Sequence, residues 1–397
     1  MTFTRKHICM VAYAYYLTDA RVRREAETLA SIPEYNVSVL ALKRENSSPE
    51  IYIKNNVNVI ELNINKYRGR SNFRYFLSYF RFLMSTFLAC NGMFMRRSLD
   101  IVHIHNMPNF LIFAAIIPLI FGKKIILDIH DTMIETYSAK FHGWTSKILI
   151  GALRLEESIC CSLAHKIICV NHIQRDVLRK RGIPEEKLAL SMNVPDPAIF
   201  GNNGISGIRN PKKEEFKLVY FGTITKRLGI DLAIKAVSKI NQEIPKLEFH
   251  ILGGGDDQQE FIDLTNKLRI NHLIHFYERA FLLEELIKIV EDMDLLVIPN
   301  RKNDATELML PVKMLESIAL GIPIVTPRLK AIEYYFSEDQ VFYFEPDNVD
   351  SLADAILYAY KNEIERVKKA QNAKSFLEKY GWETHKYELL NLYKSLN

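Results

Sequence analysis

No stretch of this 397-residue chain stays apolar long enough to cross a bilayer, and no two cysteines are spaced as CxxC. The longest apolar run, Phe110 to Phe121, is interrupted by Pro118 and falls short of the roughly 20 residues a spanning helix needs, so it reads as a core helix. The five cysteines (Cys9, Cys90, Cys160, Cys161, Cys169) are odd in number and form no paired framework. They predict reduced, buried thiols in a cytoplasmic protein, with no zinc centre. The first residues, Met-Thr-Phe-Thr-Arg-Lys-His, lead straight into a strand pattern, and no signal peptide is expected. Neither HExxH nor facial-triad spacing is present, which argues against a metal site, and GxxxxGK[ST] is missing, which excludes a Walker loop. No acidic residue lies between Glu61 and Asp100.

What is present is an ordinary globular composition, 48% apolar and 25% charged, in a chain long enough for two or three domains. The net charge of +5 hides an asymmetry. Residues 1–195 carry 26 Lys/Arg against 16 Asp/Glu, whereas the remainder carries 26 against 31. A basic half invites an anionic partner such as a membrane surface, a nucleic acid or a phosphorylated substrate.

Val- and Ile-rich strand patterns alternate with helical ones almost throughout. In the first half they fall at His7–Tyr13, Val37–Leu42, Val57–Leu62, Ile101–His105, Lys124–Ile129 and Lys166–Val170. In the second they fall at Lys217–Phe221, Leu247–Leu252, Ile274–Tyr277, Asp294–Ile298, Ile324–Thr326 and Val341–Phe344. Repeated βαβ order predicts an α/β protein with two Rossmann-like, doubly wound parallel sheets. The expected division is a first domain at 1–195, a Pro-, Gly- and Asn-rich linker at 196–216, a second domain at 217–378 and a final helix at 379–397. Ligands of such sheets sit beyond the carboxyl ends of strands, so two facing domains would hold a site in a central cleft.

The strand-end loops therefore carry the candidates. After the first strand, Asp19 can cap a helix whose first turn holds Arg21. His105 closes one strand, and Asp128-Ile-His130-Asp131 closes the next. In the second half, Phe221-Gly222-Thr223 is followed by Lys226-Arg227, where a glycine allows close approach of a ligand beside positive charge. Gly253-Gly254-Gly255 offers more exposed N–H groups. Farther on, Glu307-Leu-Met-Leu310-Pro311-Val-Lys313-Met-Leu-Glu316 enters a helix, with Pro311 in its first turn and Gly321 past its end. Taken alone, Lys313 and Glu316 make an unremarked i, i+3 pair on a solvated face. Read with Gly222 and Lys226/Arg227, the loop and helix N-terminus become a seat for a nucleoside diphosphate, with Glu316 as a hydrogen-bond acceptor that could hold ribose hydroxyls.

Together these residues resemble the retaining glycosyltransferases of family 4, which have the GT-B architecture. The resemblance is carried by Asp19-Ala-Arg21-Val-Arg-Arg-Glu25, His105, His130-Asp131, Phe221-Gly222 through Asp231, Leu252-Gly-Gly254-Gly, and Leu310-Pro311-Val-Lys313-Met-Leu-Glu316 through Gly321-Ile-Pro323. Tyr380-Gly-Trp382 to Tyr393 is similar to the family's last helix, which crosses back to the first domain. The resemblance implies a metal-independent enzyme without a cofactor, using a nucleotide-sugar donor and retaining anomeric configuration. It implies that His130 orients the donor sugar or its β-phosphate, with His105 and Asp131 nearby, and that Lys226 and Arg227 stabilise the leaving diphosphate. Thr223, Gly254, Leu310, Pro311 and Lys313 would line the donor, and Asp19 and Arg21 the acceptor side. The sequence departs from the family at the first glutamate of Glu-x7-Glu, where Leu308 stands with Glu307 one place away. Other readings are a non-catalytic sugar-nucleotide-binding subunit and a GT-B epimerase.

The acid-free segment adds a partner. Lys66, Arg68, Arg70, Arg74, Arg81, Arg96 and Arg97 alternate with Tyr67, Phe73, Tyr75, Phe76, Tyr79, Phe80, Phe82 and Phe87. Such a run is either a core helix with a basic face or an interfacial anchor on anionic lipid. A lipid-linked or glycan acceptor at the inner face of the membrane would suit the second reading. No nucleic-acid recognition motif accompanies the charge.

Overall fold

The computed structural model describes residues 5–44, 47–67, 72–138, 144–200, 215–277, 281 and 283–396. The expected linker lies mostly outside them, as do Arg68 and Arg70. The chain forms two compact units, one of residues 1–193 with His385–Asn397 and one of Val194–Thr384.

The first unit holds an eight-stranded sheet ordered β3-β4-β2-β1-β5-β6-β7-β8. Its strands are β1 (Lys6–Ala12), β2 (Tyr35–Leu42), β3 (Ile51–Lys54), β4 (Val57–Leu62), β5 (Ile101–His105), β6 (Lys124–Ile129), β7 (Lys166–Cys169) and β8 (Leu188–Leu190). Continuous apolar strands such as Ile101–His105, buried at every position, are what a sheet covered on both faces requires. The sheet is parallel except for β3, which pairs antiparallel with β4 through Asn55 and Asn56, both at positive φ. That edge strand exposes Ile51 and Ile53 and is too short and uncovered to announce itself by burial pattern. Helix α1 (Ala20–Ala30) is capped by Asp19, whose carboxylate accepts from Val22 N at 3.0 Å. Helix α2 (Asn72–Met95) follows β4, and helix α3 (Trp144–Leu163) precedes β7.

The Phe110–Phe121 run is not one core helix. Residues Asn109–Ala115 form a 3-10 segment and Ile116–Ile120 a short α-helix. Pro118 has no N–H to extend a longer one, and Ile120 and Phe121 at its end are exposed. All five cysteines are free and buried, as their composition predicts. Burial pushes the Cys161 thiol up to about 12, a chemically quiet group.

The second unit holds a wholly parallel six-stranded sheet ordered β11-β10-β9-β12-β13-β14. These are β9 (Phe216–Phe221), β10 (Leu247–Leu252), β11 (Ile274–Tyr277), β12 (Leu295–Val297), β13 (Ile324–Pro327) and β14 (Phe342–Phe344). Its core packs Leu218, Tyr220, Phe249, Ile251 and Val297 against helix α4 (Ile230–Ile240) and helix α6 (Val349–Lys361). Helix α5 (Val312–Ala319) precedes β13. The order in which strands are added reverses between β9 and β12 in this sheet, and between β1 and β5 in the other, so each crevice beyond those strand ends is a ligand position by topology.

Candidate functional site

The second crevice is built from strand tips and a helix start. β9 ends at Phe221, and Gly222 follows at φ 122°. Gly253, at the tip of β10, has φ 135°, and a Cβ there would lie 2.1 Å from the Gly222 carbonyl oxygen. Only glycine allows two tips to press together in this way. Gly254 and Thr223 are exposed, and the Thr223 carbonyl accepts from the Tyr220 hydroxyl at 2.6 Å.

Helix α5 begins with Pro311 as its N-cap, one position earlier than the sequence pattern suggests, and no side chain caps it. Leu310 and Lys313 are both half-buried residues at this entry. The stem of Lys313 is partly accessible, but its Nζ is shielded from solvent and has no hydrogen-bond partner. The ammonium lies 3.8 Å from the centre of the Tyr220 ring and 3.0 Å from where a Cβ on Gly222 would stand. Burial pulls its pKa from 10.5 to about 7, with Glu316 on the next turn opposing that pull. Lys313 is thus not a solvated helix-face charge. It is a buried nitrogen at the tip of β9.

The loop cations are placed differently. Lys226 opens a short 3-10 turn, is 59% exposed, and pairs with Glu260 at 2.8 Å. Its backbone N–H donates to Asp257 at 2.8 Å. Arg227, half-buried beside it, is near enough to Tyr220 to act on its hydroxyl electrostatically. Glu307 accepts from the Lys330 backbone N–H at 2.7 Å and lies 3.2 Å from Lys302 Nζ. Its carboxylate anchors a neighbouring helix start. Glu316 remains half-exposed on α5.

In the first unit, β5 and β6 bring their histidines together around Asp128, which the sequence places at the strand end without a role. Register pairs His105 with Asp128, and alternation puts Asp128 and His130 on one face. Asp128 is fully buried and receives both Arg21 Nε (2.9 Å) and Nη2 (2.8 Å). Asp128 Oδ2 also lies 3.0 Å from His130 Nε2 and 3.2 Å from His105 Nδ1. Arg21 further reaches the Ser191 carbonyl at 2.8 Å and Glu25 at 3.2 Å. Arg21 is only 3% exposed, and its guanidinium is engaged within the fold. Asp19 stays at the helix cap, and Asp131 is exposed at its strand tip.

His103 packs on His105, their rings 4.2 Å apart, and its Nδ1 meets the Tyr393 hydroxyl at 2.7 Å. Burial holds His103 well below the usual histidine range. Burial also opposes charge on His130, but Asp128 outweighs it and raises that pKa. Ligand atoms of Glu25, His103, His105 and Asp128 lie within 4.8 Å of one another. Arg21 already supplies the cation those carboxylates need, so the same volume is poorly suited to a metal ion.

Helix α2 carries two stripes. Ser78, Phe82, Thr86 and Cys90 face inward, while Phe73, Phe76, Phe80, Met84 and Leu88 are exposed at 72%, 57%, 45%, 43% and 68%. Spacings of three and four make the outer stripe one continuous apolar ridge, flanked by exposed Arg74 and Arg81. Helices α2 and α3 both pack on the Asn109–Ala115 segment, and α3 adds exposed Ile148, Leu155 and Ile159. A core helix with only a basic outer face does not describe this arrangement.

Two α/β domains built on parallel sheets give this chain the GT-B class of glycosyltransferase fold. Residues 20–194 match Glycosyltransferase Family 4 and residues 205–376 match Glycosyl transferases group 1, and the chain belongs to this family. It is 22% identical over 313 residues to the uncharacterized glycosyltransferase MJ1178 of Methanocaldococcus jannaschii, covering 75% of this chain and 86% of that one. It is 22% identical over 167 residues to the lipopolysaccharide glucosyltransferase WaaG of Escherichia coli, 42% of each chain. Among solved structures, sucrose-phosphate synthase from Thermosynechococcus elongatus superposes over 99% of both chains at TM-score 0.77 and 15% identity. Anabaena HepE, solved with UDP-glucose, covers 98% of this chain and 99% of its own at TM-score 0.70 and 13% identity.

Proposed function

We propose that this glycosyltransferase moves a sugar from a nucleoside-diphosphate sugar to an acceptor hydroxyl, retaining anomeric configuration and needing no metal ion or cofactor. The observation that carries the donor half is the crevice of Gly222, the uncapped start of α5 and the cation beside it. Departure of the diphosphate leaves negative charge where N–H groups and a cation are preset, and such electrostatic stabilisation is the main catalytic requirement. Glu316 accepts from the ribose hydroxyls. By the family resemblance, His130 orients the donor sugar, and Asp128 supports it by fixing the imidazole and raising its pKa. HepE has been solved with UDP-glucose and WaaG acts in lipopolysaccharide synthesis, which supports a surface polysaccharide or glycolipid as product. The test is to supply labelled UDP-, GDP- and ADP-sugars with lipid extract and determine product configuration by NMR. A retained glycoside is expected. An inverted product sinks the mechanism, and an epimerised or merely bound donor moves the chain to another role.

The ridge on α2 adds a location, at the inner face of the cytoplasmic membrane. An exposed apolar stripe bordered by Arg74 and Arg81 matches an anionic bilayer surface, where apolar insertion and charge attraction add. No helix among the described residues is long and apolar enough to cross a membrane. Salt-sensitive sedimentation with anionic vesicles, lost in a Phe76→Ser/Phe80→Ser variant, is expected. Wild-type protein that stays in the supernatant at low salt rules the contact out.

A further inference from the structure

We propose that Lys313 is the cation that receives the donor's diphosphate, a role the motif pattern gives to Lys226 and Arg227. This rests on the donor-site reading above. A buried lysine normally finds an acceptor, because an unpaired ammonium away from water is costly. Lys313 has none, although its Nζ is fully shielded. The nitrogen stands over the Tyr220 ring at 3.8 Å and beside Gly222, where a side chain on residue 222 would crowd it at 3.0 Å. The same helix turn leaves its start uncapped. An uncapped helix start and a nitrogen without an acceptor therefore share one turn, and that nitrogen lies beside Gly222. Their shared unmet need is an anion. Lys226, by contrast, is already paired with Glu260 in solvent.

Glu316 on its own helix is the charged group acting on Lys313, and the Tyr220 ring on β9 lies under its ammonium. With its pKa near 7, the ligand-free lysine is only partly charged at neutral pH. An arriving diphosphate would draw a proton onto it, so donor binding takes up a proton from solution.

Calorimetric titration of the intact chain with UDP, GDP and ADP, and with the matching nucleosides, tests the assignment. For whichever diphosphate the wild type binds, Lys313→Met is expected to lose affinity by about tenfold or more. Its affinity for the nucleoside should change little, and Lys226→Ala should lose less diphosphate affinity than Lys313→Met. Titrations in buffers of different ionisation heat should show proton uptake in wild type that Lys313→Met lacks. Because Met removes an unpaired buried nitrogen, the variant is expected to melt no lower than wild type without ligand, which guards against misfolding as the cause. If Lys313→Met binds the diphosphate as wild type does, or Lys226→Ala loses more, the role of Lys313 is overturned while the donor site stands. A wild type that binds none of the three diphosphates removes the donor-site reading itself.

Discussion

Each unit buries a basic side chain at the carboxyl end of its first parallel strand, and the two are treated in opposite ways. Arg21 spends its guanidinium on Asp128, Glu25 and the Ser191 carbonyl. Lys313 has no hydrogen-bond acceptor for its ammonium, which lies over the face of Tyr220 with Glu316 acting on it from the next turn. Both sit where topology places ligands. A cation already matched by buried carboxylates has its role inside the fold, since a ligand anion would have to displace them. A cation with no acceptor costs stability in the resting protein and gains its partner only when an anion binds. The contrast separates a residue that positions the site from one proposed to contact substrate, although both appear in the sequence as basic residues in the first turn of a helix.

The sharpest way to break this comparison is to remove both side chains in turn. Arg21→Met leaves two buried carboxylates without their counter-charge. Breaking a buried pair by deleting one partner costs about 3–5 kcal/mol, so a large fall in unfolding midpoint is expected. Lys313→Met has the opposite sign, because it removes a group that lacks a hydrogen bond, and a gain of roughly 1–3 kcal/mol is expected. Calorimetric melts of the ligand-free full chain measure both. An Arg21→Met protein as stable as wild type would mean that Arg21 is not a brace and is available for the acceptor.

Much of the fold was legible because most central strands are buried along nearly their whole length and their apolar runs are continuous. Val57–Leu62, Ile101–His105, Lys124–Ile129, Leu247–Leu252 and Ile274–Tyr277 appear with the bounds the pattern implies. The edge strands β3 and β8 did not show, since Ile51-Tyr-Ile-Lys is exposed and Leu188-Ala-Leu is only three residues long. The asparagine pair between β3 and β4 was a readable turn signal. Site residues were legible as positions at strand ends but not as roles. Asp128 was passed over although it shares a strand face with His130, and the register of β5 against β6 makes it the hub. Tyr393, 290 residues from His103, leaves no local trace of its contact. Lys313 looked like half of an ion pair because spacing along a helix cannot show that Gly222 lies beside it.

A smaller effect, in pH dependence, sharpens the same contrast. Asp128 raises the pKa of His130, so the native state keeps a proton that the unfolded chain releases above about 6.5. Stability from that group is complete below 6.5 and declines as pH rises through the raised folded value. Lys313 behaves in reverse. Its folded pKa near 7 lies below the unfolded 10.5, so above 7 the unfolded chain holds the extra proton and stability rises with pH toward 10.5. Each contribution changes by at most about 1.4 kcal/mol per pH unit. Subtracting the stability curve of His130→Gln from wild type should therefore leave a term falling with pH, and subtracting that of Lys313→Met a term rising with pH. Two differences of the same sign would mean that the paired and orphan groups are not electrostatically distinct. A flat Lys313→Met difference would mean that the ammonium is solvated in the resting protein and holds no charge in reserve for a diphosphate.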